Sequence, residues 1–229
     1  MPWATRIDWQ TTAGKTLRRL IDALPADREW SLTLFGSSPL QLGLEPTFTS
    51  LDVDLFTDDP DEAQDEISAA IQRAGLSKDQ SAENYVQLCY PSNFSTSPRW
   101  RLRAWTTSVG HVRLTLPHPI DILIAKLHRL ADKDLRAFRL VIERTGHPTE
   151  DEMRRELQAA VDLYRPNFDE EMSGDITTNT AVLWQELWGK EINVRQEIIA
   201  PALERIRKGY EPDMPRRDYK AELRRLAEE

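Results

Sequence analysis

Hydrophobic positions recur along this chain with two different periods, and the change between them divides it. In the first half, Lys15 to Leu24 places Leu17, Leu20, Ile21 and Leu24 on one stripe, and Pro25 closes the run, which predicts an amphipathic helix. Trp30 to Phe35 is an apolar run of β-formers that leads into Gly36-Ser37-Ser38-Pro39, so a strand should feed a tight turn and a short helix. Leu51 to Phe56 alternates apolar and acidic positions and predicts a second strand. Asp61 to Ala74 reads as an acidic helix with Ile67, Ala70 and Ile71 inward, and Tyr85 to Tyr90, Trp100 to Thr106 and His111 to Leu116 read as three more strands.

From Pro119 the period lengthens to about 3.6, with Ile120, Leu123, Ile124, Leu127 and Leu130 on one face of a long helix. Thr149 to Tyr164, Thr180 to about Val194, Ile198 to Lys208 and Arg217 to Glu228 are further helical segments, separated by Gly146-His-Pro, Arg165-Pro-Asn and Tyr210-Glu-Pro. The expected fold class is α+β: a mixed sheet flanked by helices over residues 1–117, followed by a helical region over 118–229 packed on it. No Gly/Ser linker separates the two, and no internal repeat is evident.

Two features carry candidate chemistry. Asp52 and Asp54 lie at i and i+2 on a strand and therefore share a face. Like charges side by side within an otherwise apolar strand are unfavourable unless a cation or a shared proton offsets them. Magnesium, which takes carboxylate, phosphate and water oxygens, is one answer; a solvent-facing strand edge is the other. The second feature is the Gly36-Ser37 turn. Glycine permits close backbone approach and serine adds a hydroxyl, both suited to holding a phosphate.

Leu34-Phe-Gly-Ser-Ser38 followed by Thr49-Ser-Leu-Asp-Val-Asp-Leu-Phe56 resembles the signature of the nucleotidyltransferase superfamily, the DNA polymerase β-like fold. Pro119-Ile-Asp-Ile-Leu-Ile-Ala-Lys-Leu-His-Arg-Leu-Ala-Asp-Lys-Asp134 is similar to the lysine-bearing helix of its AbiEii-type branch. The resemblance implies transfer of a nucleoside monophosphate from a nucleoside triphosphate to a hydroxyl, with Mg2+ on Asp52 and Asp54. It implies that Gly36, Ser37 and Ser38 hold the triphosphate, that Lys126 binds a phosphate, and that Asp134 orients Lys126 or the acceptor. Many members of that branch are toxins paired with an antitoxin protein, and some relatives modify the acceptor end of tRNA, so RNA is an expected acceptor. The likeness departs in two respects: fourteen residues, Ser38 to Leu51, lie between Ser37 and Asp52, near the long end of what the signature tolerates, and Trp100 to Thr106 and His111 to Leu116 hold no third acidic residue. The alternative is thus a descendant that binds nucleotide or a protein partner without catalysis; transfer to a small molecule such as an aminoglycoside is a third reading.

Charge narrows the partners. The formal net charge is -8, which argues against a chain that coats nucleic acid indiscriminately, yet Arg99 to Arg144 holds ten Lys/Arg against four Asp/Glu. Arg99, Arg101 and Arg103 alternate with larger neighbours, so as a strand they would project from one face, either binding a triphosphate or RNA backbone or pairing with the acidic helix. The four histidines, His111, His118, His128 and His147, lack zinc-site spacing. Trp184 and Trp188 sit at helical spacing and suit core packing. Cys89, the single cysteine, reads as a buried thiol. No run approaches the roughly 18 apolar residues of a membrane span, and the first twenty residues lack a signal peptide's apolar stretch. A cytoplasmic protein is expected.

Overall fold

The structure is a computed structural model that describes residues 3–48, 52–58, 61–77, 84–94, 96–97, 99–160 and 175–208. The fold is α+β and is built on one mixed five-stranded sheet. Its strands are β1 (Trp30–Phe35), β2 (Asp52–Phe56), β3 (Tyr85–Leu88), β4 (Trp105–Val109) and β5 (Val112–Leu116), in spatial order β3-β2-β1-β5-β4. β1 runs antiparallel to β2 and parallel to β5, so β2 and β5 flank it from opposite directions. The helices on the sheet side are α1 (Thr12–Ala23), α2 (Ser38–Gly43) and α3 (Asp61–Arg73).

Alternation on β2 places Val53 and Leu55 on the inner face, where they meet Leu17, Leu20 and Ile21 of α1 and Ile67 and Ile71 of α3 in one apolar cluster. Burying each such side chain stabilises the fold by about 1.5–3 kcal/mol. The opposite face of β2 therefore belongs to Asp52, Asp54 and Phe56.

Two expectations need correction. Trp100 to Thr106 is not one strand: Trp100–Arg103 forms a single helical turn, α4, and β4 starts only at Trp105. The amide of Trp100 bonds the Ser97 carbonyl and that of Arg99 the Ser97 hydroxyl, which closes a turn before the strand can begin. The three arginines consequently do not form a row on a sheet face.

The helix from Pro119 likewise stops at Lys126 (α5, Pro119–Lys126) and restarts as α6 (Asp132–Thr145). Leu130, at φ 44°, turns the chain, and the carboxylate of Asp134 accepts the Ala131 amide to cap the new helix. α7 (Glu150–Ala159) starts at a Thr149/Glu152 capping box. α8 (Ile176–Trp188) begins four residues ahead of the expected Thr180 and ends at Gly189 in the left-handed region, short of Val194. Arg195–Ile199 forms a π-helical turn that runs into α9 (Ala200–Arg207). The predicted end of the α7 segment at Tyr164 and the helix at Arg217 to Glu228 lie outside the described residues.

A second apolar cluster joins α5 to α8 through Leu123, Leu127, Phe138, Leu157, Leu183 and Trp184, with Trp188 packed on Trp184 at a ring separation of 4.7 Å. Helix α2 straddles both clusters: Leu42 belongs to the first and Leu40 to the second. Among the described residues no helix is long and apolar enough to cross a membrane.

Candidate functional site

The site forms where the end of β1, the outer face of β2 and the α5–α6 corner converge. β1 delivers Gly36 with φ 69° directly against the second carboxylate, because Phe35 is paired with Asp54 across the ladder. A Cβ placed on Gly36 would lie 2.2 Å from Asp54 Oδ2. Glycine is thus required twice, for the left-handed backbone and for the space.

Ser37 follows at the start of α2, and its Oγ accepts a hydrogen bond from Lys126 Nζ at 3.0 Å. The ammonium of Lys126 also donates to Asp134 Oδ1 at 3.0 Å, and both side chains are buried. Lys126 therefore bridges the Gly-Ser turn and the cap of α6, residues distant in sequence. Asp134 further accepts from Arg129 and from the Ala131 amide. Burial alone would raise the pKa of this carboxyl, yet Lys126, Arg129 and the Ala131 amide together hold it below the usual range. It is a fully compensated anion.

Asp54 stands in the opposite condition. Burial first, and the charge of Asp52 second, push its carboxyl up to about 7, against the through-space pull of Lys126, Lys133 and Arg129. Aromatic side chains share its sheet face, with Phe35 opposite Asp54 across the ladder and Phe56 two residues along β2. Phe35, Phe56, Phe94 and Trp100 form a continuous aromatic floor, with Phe35 5.8 Å from Phe56 and Phe94 5.3 Å from Trp100. Cys89, beyond β3, is half-buried, and burial and then Asp54 push its thiol up to about 12, so it is an unreactive thiol at neutral pH.

The other predicted site residues sit elsewhere. Ser38 is fully buried and its hydroxyl turns back to the Phe35 carbonyl, away from the turn's open side. Arg101 forks onto Asp58 at 2.8 and 2.9 Å. Arg103 reaches inward, forking onto the buried Asp121 at 2.6 Å and pairing with Glu156 at 2.7 Å, so it ties α4 to α5 and α7. Neither arginine joins the Asp pair.

Sequence reasoning missed the aromatic floor. Its signal was present: Phe35 and Phe56 share the strand parity of the acidic face once β1 and β2 are placed in register. It also missed Arg129 as the second cation on Asp134.

Chemically, two adjacent carboxylates, a hydroxyl and a buried ammonium offer oxygen ligands for a hard cation and donors for a phosphate. Among the described residues no group of three or more His, Cys, Asp or Glu converges, so the acidic set here is a pair. No protein family, no curated protein and no solved structure matches this chain.

Proposed function

We propose that the chain is a magnesium-dependent nucleotidyltransferase of the DNA polymerase β-like kind, moving a nucleoside monophosphate from a nucleoside triphosphate to a hydroxyl acceptor. The observation that carries this reading is Lys126, whose ammonium touches both the Ser37 hydroxyl and Asp134 and lies close enough to Asp54 to lower its pKa. A phosphate seated on the Gly36-Ser37 turn would displace the Lys126–Ser37 hydrogen bond and take the ammonium as its own partner. Asp134 keeps that ammonium aimed. Asp52 and Asp54 would hold Mg2+, which supplies charge neutralisation at the transferring phosphoryl group. The carboxyl of Asp54 fits the role: burial beside a second carboxylate leaves an anion that a divalent cation would stabilise. An RNA hydroxyl as acceptor and an antitoxin as partner rest on the family likeness alone.

The test is incubation of the full chain with Mg2+, each radiolabelled triphosphate and total RNA. Asp52→Ala and Asp54→Ala should each lower label transfer by at least 100-fold while the circular dichroism spectrum is unchanged. Transfer at the parent's rate by both variants would end the reading. A second reading, nucleotide binding without turnover, is favoured by the acidic pair lacking a third carboxylate among the described residues. It predicts calorimetric triphosphate binding with no label transferred to any acceptor.

A further inference from the structure

The two edges of the sheet are finished differently. On the β3 side the Ser77 amide donates to the Asn84 carbonyl and the Ser77 carbonyl accepts the Val86 amide, so a further backbone segment covers that edge. On the other side β4 is the last strand, and among the described residues no backbone hydrogen bond reaches it except from β5. Open edges are usually blunted by a charge, a proline or a bulge. Trp105-Thr-Thr-Ser-Val109 has none of these: it pairs with β5 residue for residue and holds no charged side chain and no proline.

The open backbone groups can be assigned. β4 and β5 are joined by the two-residue turn Gly110-His111, so Val109 and Val112 form the first hydrogen-bonded pair and the ladder alternates from there. Val109, Thr107 and Trp105 therefore turn their N–H and C=O groups to β5, while Thr106 and Ser108 turn theirs outward. The side chains alternate as well. Thr106 and Ser108 are exposed, whereas Trp105 and Val109 are partly buried against the sheet-side apolar cluster, so that cluster reaches the edge incompletely covered.

We propose that β4 is the interface between two copies of this chain, paired antiparallel across a two-fold axis through Thr107. In this register both outward-facing residues of one strand meet those of the other: Thr106 opposes Ser108 of the second copy and Ser108 opposes its Thr106, each pair exchanging both N–H···O bonds. The strand is self-complementary there. Trp105 lies opposite Val109 of the second copy, an aromatic and β-branched pair that continues the apolar cluster across the axis, and the hydroxyls of Thr106 and Ser108 face each other on the exposed side. With no charge on either strand, no like charges are opposed. Pairing of a five-residue strand alone falls short of the roughly 1,200 Å² that stable interfaces bury, so the association is weak and concentration-dependent. It does not rest on the transferase reading. β2 stands three strands inward from β4, about 14 Å in all, so the pairing does not involve the Asp52 and Asp54 face.

The experiment is sedimentation equilibrium on the full chain from micromolar to millimolar concentration, with amide hydrogen exchange followed at both ends of the range. The parent should pass from monomer to dimer, and the Thr106 and Ser108 amides should gain protection as it does. Thr106→Lys combined with Ser108→Lys sets lysine against lysine at both pairs and should weaken self-association about 10-fold, and Thr106→Glu combined with Ser108→Glu should do the same. Both positions are exposed, so circular dichroism and thermal melting should be unchanged. An equimolar mixture of the two double variants opposes lysine to glutamate and should dimerise at least as well as the parent, a rescue that damage to the fold could not produce. A parent that stays monomeric at millimolar concentration overturns the proposal. So does a dimer that both double variants form as tightly as the parent, since another face must then hold it.

Discussion

Asp54 and Asp134 both lie within reach of Lys126, yet one carboxyl is pushed up to about 7 and the other held below its normal range. The difference is contact. Asp134 accepts hydrogen bonds from Lys126, Arg129 and a backbone amide, whereas Asp54 feels the same cations only across space while burial strips its water and Asp52 repels it. A compensated anion of this kind fixes geometry. An uncompensated one, placed beside a second carboxylate, is a preformed demand for positive charge.

The comparison can be broken in three places. The largest effect belongs to Asp134→Ala, which leaves the buried ammonium of Lys126 without its anion and removes the α6 cap. A loss of about 3–5 kcal/mol is expected in urea denaturation, the cost of breaking a buried pair from one side. A loss under about 1 kcal/mol would show that Asp134 is not the compensated anion described.

Next is Gly36→Ala, which forces a methyl group onto Asp54 Oδ2 and strains the positive φ. It should cost about 3 kcal/mol, combining overpacking with backbone strain. In an Asp54→Ala background the same change should cost only about 1 kcal/mol, the backbone part alone. Equal costs in both backgrounds would mean that Gly36 and Asp54 do not press on each other.

The pH-dependent effect tests Asp54 itself, in the presence of a chelator. The ordinary carboxyl value is 3.8 and the folded value about 7, so the folded chain holds a proton between those limits that the unfolded chain has released. Stability from this group is full below about pH 4 and declines as pH rises through 7. Asp54→Asn removes that decline. The variant should exceed the parent by about 4 kcal/mol at pH 8, with the gain shrinking toward zero at pH 4. A gain independent of pH would place its origin in packing and not in charge.

Much of this architecture could be read from period alone. Leu17, Leu20, Ile21, Ile67 and Ile71 are buried as their helical stripes require, and the two-residue spacing of Asp52 and Asp54 puts both opposite Val53 and Leu55. Trp100 to Arg103 misled because alternating arginines and large residues suit a strand or a helical turn equally, and two hydrogen bonds to Ser97 decided between them. The break at Leu130 was hidden for a related reason: Ile120 through Leu130 keep a helical stripe, while the interruption comes from Asp134, whose carboxylate caps a new helix. Within the candidate site, the acidic pair and the Gly-Ser turn were legible as local patterns. The reach of Lys126 across 89 residues to Ser37, and the aromatic floor beneath Asp54, depend on strand register and helix packing, which no short window contains.

Helix α2 is only six residues long, yet it sends Leu42 into the sheet-side cluster and Leu40 into the helical one. It acts as a rivet through both layers, and Ser37 is its head. Slack introduced into either layer, even at a remote position such as Leu183, should therefore reach the serine hydroxyl, so that lesions deep in the helical half read as lesions of the candidate site.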